Sequence, residues 1–249
     1  MTRNWMLAAA AVLALGAGAS QAAVPPNVTA ALADKGRPAE DPAKDAARKA
    51  GDTLELLEVK PGAKVADLIM GGGYFTHLLS AAVGPNGRVV AYQPAEFIQF
   101  QASYGENLKK VAAARPNVTP LSSSLGALDL PDGLDAVLTV QNYHDLHLTP
   151  FPKDTASKVN AEVFKSLKPG GVYLVVDHVG APGSGLDAAM KVHRIEPSIV
   201  KQEVEAAGFK LESESPILRV STDPHTASVF DPSVRGKTDQ FVMKFRKPK

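Results

Sequence analysis

The stretch Val65-Ala66-Asp67-Leu68-Ile69-Met70-Gly71-Gly72-Gly73-Tyr74-Phe75-Thr76 constrains the fold of this chain more than any other. An apolar run of strand length, a glycine turn and the start of an apolar helix describe a buried strand feeding a helix N-terminus. Because glycine has no Cβ, main-chain N–H groups in such a turn can face a nucleotide-like ligand at contact distance.

The same alternation recurs downstream. Tyr74 to Val83 reads as a helix, Gly84-Pro85-Asn86-Gly87 as a turn and Arg88 to Tyr92 as a second strand, completing a βαβ unit within about 30 residues. A helix is expected from Pro94 to Ala114, a strand at Val118 to Leu121, a turn at Asp132-Gly133 and a fourth strand at Ala136 to Val140. Lys158 to Leu167 reads as a helix running into Lys168-Pro169-Gly170-Gly171, and Val172 to Val176 is the most β-branched strand. Strands alternating with helical periods imply a mostly parallel sheet with helices on both faces.

The ending differs. After a helix from Pro197 to Ala207, the segments Phe209 to Glu214 and Gln240 to Arg246 alternate apolar and polar residues, predicting an antiparallel pair at the sheet edge. The loop between them is long enough to serve as a lid or binding loop. Ahead of the first strand, Lys64 to Ile69, the spacing in Ala46 to Leu57 predicts an amphipathic helix stopped by Pro61-Gly62.

The N-terminus stands apart. Arg3, the apolar run Met6 to Ala19 and the small-x-small site Ser20-Gln21-Ala22 read as a cleavable secretory signal over residues 1–22, too short and too rich in Ala and Gly for a spanning helix. The expected organisation is then a Pro- and Ala-rich tail with short helices at 23–49 and an α/β domain at 50–249. The protein is expected to be periplasmic or secreted, without a membrane anchor once cleaved. Its 249 residues contain no cysteine, which excludes a disulfide framework and thiolate metal ligation. Losing Arg3 with the signal leaves basic and acidic side chains balanced, which argues against a nucleic-acid partner.

Three motifs in this order carry a resemblance: Asp67 to Thr76; the strand Leu134-Asp135-Ala136-Val137-Leu138 ahead of Gln141-Asn142-Tyr143-His144-Asp145; and Phe164-Lys165-Ser166-Leu167-Lys168-Pro169-Gly170-Gly171 leading to Asp177-His178. Over roughly residues 46–249 the chain resembles the class I S-adenosylmethionine-dependent methyltransferases. More narrowly it is similar to exported members ending in an Arg-Gly-Lys-Thr-Asp segment, here Arg235 to Asp239. The resemblance implies a Rossmann-like, seven-stranded, mostly parallel sheet with an antiparallel edge strand, and S-adenosyl-L-methionine as cofactor. It maps the cofactor set onto Asp67, Gly71, Gly72, Gly73, Gln93 and Asn142. Ile69 stands where the family carries its first glycine, and Gln93 where a carboxylate takes both ribose hydroxyls.

Methyl transfer is an in-line displacement, so the protein positions donor and acceptor and, for a hydroxyl acceptor, removes a proton. Ligands of such sheets sit beyond the carboxyl ends of the strands, where Asn142-Tyr143-His144-Asp145 and Asp177-His178 arrive. His144 is the preferred general base and His178 the second, with Asp145 or Asp177 orienting an imidazole. His193-Arg194 and Arg235-Gly236-Lys237 are candidates for an anionic acceptor or for surface ion pairs. Tyr143, Phe97, Phe100 and Tyr104 could line a pocket or the core. A metal site among His144, His147, His178, His193 and His225 lacks any recognised ligand spacing, so no metal is assigned. The expected function is methyl transfer to a small or exposed acceptor, and the alternative is a non-catalytic binding protein that retains the fold.

Overall fold

The computed structural model describes residues 24–249; the predicted signal segment lies outside them. In chain order the elements are α1 (Pro26–Leu32), α2 (Asp45–Arg48), α3 (Ala50–Leu56), β1 (Lys64–Leu68), α4 (Tyr74–Val83), β2 (Arg88–Tyr92), α5 (Ala95–Phe100), α6 (Ser103–Ala114) and β3 (Val118–Leu121). They continue with β4 (Leu134–Val140), α7 (Thr155–Ser166), β5 (Leu167–His178), α8 (Asp187–Val192), α9 (Pro197–Ala206), β6 (Lys210–Ser215) and β7 (Gln240–Arg246).

The strands form one seven-stranded sheet in the order β3-β2-β1-β4-β5-β7-β6. All neighbours from β3 to β5 are parallel, whereas β7 inserts antiparallel between β5 and β6. The antiparallel edge is therefore a β6–β7 hairpin added onto β5. Alternate strand residues feed two cores. Val65, Val89, Leu138, Leu174 and Val242 face one core with α1, α3, α4 and α6, while Ala66, Val90, Val137, Val175 and Phe241 face the other with α7 and α9. A parallel sheet buried on both faces explains the nearly continuous apolar strands.

Most bounds fall within three residues of expectation, and three elements differ more. The helix predicted over Ala46 to Leu57 is two, because Lys49 takes a left-handed conformation (φ 47°) between α2 and α3. The helix predicted from Pro94 to Ala114 is broken by Gln101, whose extended backbone (φ −145°) separates α5 from α6 and whose side chain donates to Ser103 Oγ at 2.6 Å. β5 starts at Leu167, five residues before the β-branched run. Leu167 pairs with Leu134 and Val172 with Ala136, so Lys168-Pro169-Gly170-Gly171 bulges within the strand.

The N-terminal tail is part of the packing. Val28 and Ala31 of α1 are buried in the core. Arg37 forms a paired contact with Asp45, and Asp45 accepts the Tyr74 hydroxyl at 2.6 Å. The tail is thereby fastened across the first turn of α4, next to the glycine turn.

Candidate active site

Strand order reverses direction between β1 and β4, the place where an open α/β sheet leaves a crevice beyond its strand ends. Asn142, just past β4, spans it by donating from Nδ2 to Ile69 O (3.0 Å) and Val140 O (2.7 Å). It positions the turn with that amide rather than offering it to a ligand.

Ile69 has φ 64°, a left-handed conformation that costs a β-branched residue about 1–2 kcal/mol. The backbone thus keeps the shape a glycine would give there, and the side chain, 3% exposed, packs against the α7–α9 core. Met70 packs into the other core. Neither residue needs the space above the turn. A Cβ on Gly71 or Gly72 would meet nothing within 4 Å.

Gly73 is different. A Cβ there would lie 2.6 Å from Val111 Cγ2 and 3.1 Å from Met70 Cε, so this glycine admits α6 rather than a ligand. Its expected place among the close-approach glycines is corrected accordingly. Asp67 is likewise directed inward. It accepts the Thr76 hydroxyl at 2.6 Å, tying β1 to α4, and burial raises its pKa to about 6 against the lowering effects of Thr76 and Arg48.

Gln93, fully buried at the end of β2, accepts the Gly71 N–H at Oε1 (2.9 Å). Its Nε2 has no partner among the described residues, an expensive state for a buried amide. An open two-glycine ledge and an unspent donor beside it fit a ribose-bearing cofactor, the donor going to a hydroxyl oxygen.

On the neighbouring rim the structure gathers His144, Asp145, Asp177, His178 and His193. Asp177, fully buried, accepts the His144 main-chain N–H (2.8 Å), the His178 main-chain N–H (2.7 Å) and the His144 Nδ1–H (2.9 Å). His144 Nε2 lies 3.2 Å from Asp145 Oδ1. Burial alone would lower the His144 pKa, but the Asp177 charge and the bonds to both carboxylates raise it to about 10. His144 is thus held at both ring nitrogens and does not line the cavity described below, an arrangement that tells against the free base expected from the sequence. His178 is the opposite case: burial pushes it down to about 4, so its ring is neutral. Its Nδ1 pairs with Thr238 Oγ1 at 2.8 Å.

His178 also lines a cavity of about 520 Å³. One wall comes from the tail (Lys44, Arg48), another from the β6–β7 loop (Val229, Phe230, Arg235, Thr238) and the floor from Val140 and Val176 at the strand ends. The loop expected to serve as a lid or binding loop thus forms a wall. Two further cavities open near the starts of β1, β2 and β4, at the far end of the sheet from the glycine turn.

Other expectations separate. Arg194 is fully buried and paired with Asp223 at 2.8 and 3.0 Å, so it neither meets an acceptor nor lies on the surface. Arg235 is exposed and faces the cavity. Tyr143 is core, its hydroxyl donating to Glu203 and accepting from Asn160, whereas Phe100 is 87% exposed. Phe97 stacks on Phe151 with centroids 6.2 Å apart. Thr238 and Arg48 were missed as cavity residues; the Arg235 to Asp239 segment was the available signal for the first, and nothing local marked the second.

Residues 44–209 match the family profile of protein-L-isoaspartate(D-aspartate) O-methyltransferase. Among solved structures, the chain is similar to a SAM-dependent methyltransferase from Aquifex aeolicus, with 20% identity and TM-score 0.56 over 84% of this chain and 94% of that one. It is also similar to a TehB-like SAM-dependent methyltransferase from Corynebacterium glutamicum, with 14% identity and TM-score 0.52 over 81% and 86%. Fibrillarin from Aeropyrum pernix, solved with natively bound S-adenosyl-L-methionine, aligns with 17% identity and TM-score 0.51 over 81% and 76%.

Proposed function

Because the chain belongs to the protein-L-isoaspartate(D-aspartate) O-methyltransferase family, whose cofactor is S-adenosylmethionine, we propose that it methylates a small or exposed acceptor outside the cytoplasm. The observation that carries this reading is the open ledge at Gly71 and Gly72 with the unpartnered Gln93 amide beside it, on the same strand ends as the cavity. Gly71, Gly72 and Gln93 would hold the cofactor, which when bound supplies an electrophilic methyl group. The protein's share is alignment and exclusion of water.

The cavity wall supports an anionic acceptor. Arg48 and Arg235 line it and form no ion pair among the described residues, and no carboxylate lines it. The matched family's name specifies an aspartate-type acceptor. A carboxylate oxygen would need no proton removed before attack, so this reading requires no general base. His178, with Nδ1 engaged by Thr238, has Nε2 left to orient the acceptor. The export reading rests on residues 1–22 of the sequence.

A second, non-catalytic reading draws on one contact: the Gly71 N–H is spent on Gln93 rather than left for a ligand. Calorimetry of the protein lacking its first 22 residues, with S-adenosylmethionine and S-adenosylhomocysteine, separates the two. Binding supports the enzyme, and no heat at millimolar ligand removes it. With a carboxylate acceptor in hand, Arg235→Ala is expected to raise KM and leave cofactor affinity alone; an unchanged KM removes Arg235 from acceptor binding.

A further inference from the structure

We propose that His144, Asp145 and His193 form a site for one divalent transition-metal ion of the zinc class, set beside the acceptor cavity. One ligand atom from each residue lies within 4.8 Å of the other two. The His144 Nε2 to Asp145 Oδ1 separation of 3.2 Å is close to the spacing of about 3.3 Å between neighbouring donors on a tetrahedral zinc with bonds of about 2.0–2.1 Å. The His193 ring stands at 87° to the His144 ring, with centroids 5.4 Å apart. Two imidazoles and one carboxylate are a borderline donor set suited to zinc, and three protein ligands leave a coordination position open.

The surroundings support each ligand as an outer shell does in built metal sites. His144 donates its Nδ1–H to Asp177, which fixes the tautomer with Nε2 toward Asp145. Asp177 is itself immobilised by two main-chain N–H donors. His193 sits just past α8 at φ 54°, a left-handed conformation, and its neighbour Arg194 is buried and bonded to Asp223, Val179 O and Ala227 O. Phe230 packs edge-on against the His193 ring, with centroids 4.8 Å apart, and also lines the cavity. Such support for a two-imidazole, one-carboxylate convergence exceeds what a hydrogen-bonded loop histidine requires. Metal binding displaces the proton on His144 Nε2 to solvent.

The other histidines are committed elsewhere. His147 Nε2 faces Glu203 at 3.2 Å, and His225 Nε2 faces Asp239 at 2.9 Å. They provide controls.

The probe is Zn²⁺ alone, presented to the untagged protein in equilibrium dialysis against a chelator buffer and counted by inductively coupled plasma mass spectrometry. About one equivalent is expected for the wild type, with affinity falling roughly a hundredfold in His193→Ala and roughly ten- to a hundredfold in Asp177→Asn. His225→Gln is expected to bind as the wild type does. Asp145→Asn, nearly isosteric, carries the test if His193→Ala does not fold by circular dichroism. Folded wild type that takes up no zinc, or undiminished uptake in the folded ligand variants, overturns the site. Neither readout uses methyl transfer, so the site stands or falls apart from the enzyme reading.

Discussion

The glycine turn after β1 and the histidine–carboxylate rim after β4 and β5 sit on the same end of one sheet, yet they are built in opposite ways. The turn is local: its shape comes from Ile69 at φ 64°, Gly71 at φ 57° and Gly73 at φ 85°, all within five residues. The rim is assembled from distant parts of the chain, with Asp177 reaching His144 across 33 positions and His178 reaching Thr238 across 60. A local device shows itself in residue type, because only a few residues tolerate the dihedrals involved. A distributed one shows nothing until the chain folds.

The two regions should break differently. The largest effect is expected at the rim's anchor. Asp223→Ala leaves the Arg194 guanidinium buried without its carboxylate and should cost about 3–5 kcal/mol, read as a shift of the urea midpoint. A loss under 1 kcal/mol would mean that the rim is not held by that pair.

Gly73→Ala tests the turn's packing side. A Cβ 2.6 Å from Val111, at a φ unfavourable to alanine, should cost about 2–4 kcal/mol. Repacking by Val111→Ala in the same chain should recover part of that loss, and no recovery would place the strain elsewhere.

Asp67 supplies a pH test of the same turn. Its folded pKa, raised to about 6 from 3.8, means that the native state holds the extra proton between those values. Its contribution therefore favours folding below pH 4, weakens as pH rises through 6, and amounts to roughly 3 kcal/mol across the window. Glu58 and Glu212, held at about 2 by Arg246 and Lys244, act with the opposite slope and at lower pH. The difference between wild type and Asp67→Asn isolates Asp67. Parallel stability curves for the two proteins would assign the slope to another group.

The smallest effect on stability, and the sharpest on function, is expected at Gly72→Leu. The side chain enters open space, so the melting temperature should stay close to the wild type while S-adenosylhomocysteine affinity falls about tenfold or more, roughly 1.4 kcal/mol. Unaltered affinity would mean that the ledge does not hold the cofactor.

The fold was largely legible because two faces of one buried sheet impose continuous apolar strands separated by helical periods, and Tyr74–Val83, Arg88–Tyr92, Val118–Leu121 and Gln240–Arg246 have the bounds their patterns gave. Breaks at Lys49 and Gln101 escaped notice, since both residues are compatible with a helix and only packing against neighbours decides otherwise. Of the expected site residues, Gly71, Gly72 and Gln93 meet at one ledge. Asp67, Gly73 and Asn142 shape it from behind, a distinction between facing open space and facing packed neighbours that residue type does not encode.

By itself, then, the sequence determined the order of strands and helices, the glycine turn and the end of the sheet where chemistry-bearing side chains arrive, because each follows from backbone sterics and hydrophobic periodicity over short spans. Only the tertiary structure decided that His144 is clamped between two carboxylates, that His178 is neutral and faces the cavity, and that Arg194 is buried. Charge states and burial depend on which groups approach through space, and the field of a carboxylate acts across a few ångströms irrespective of separation along the chain.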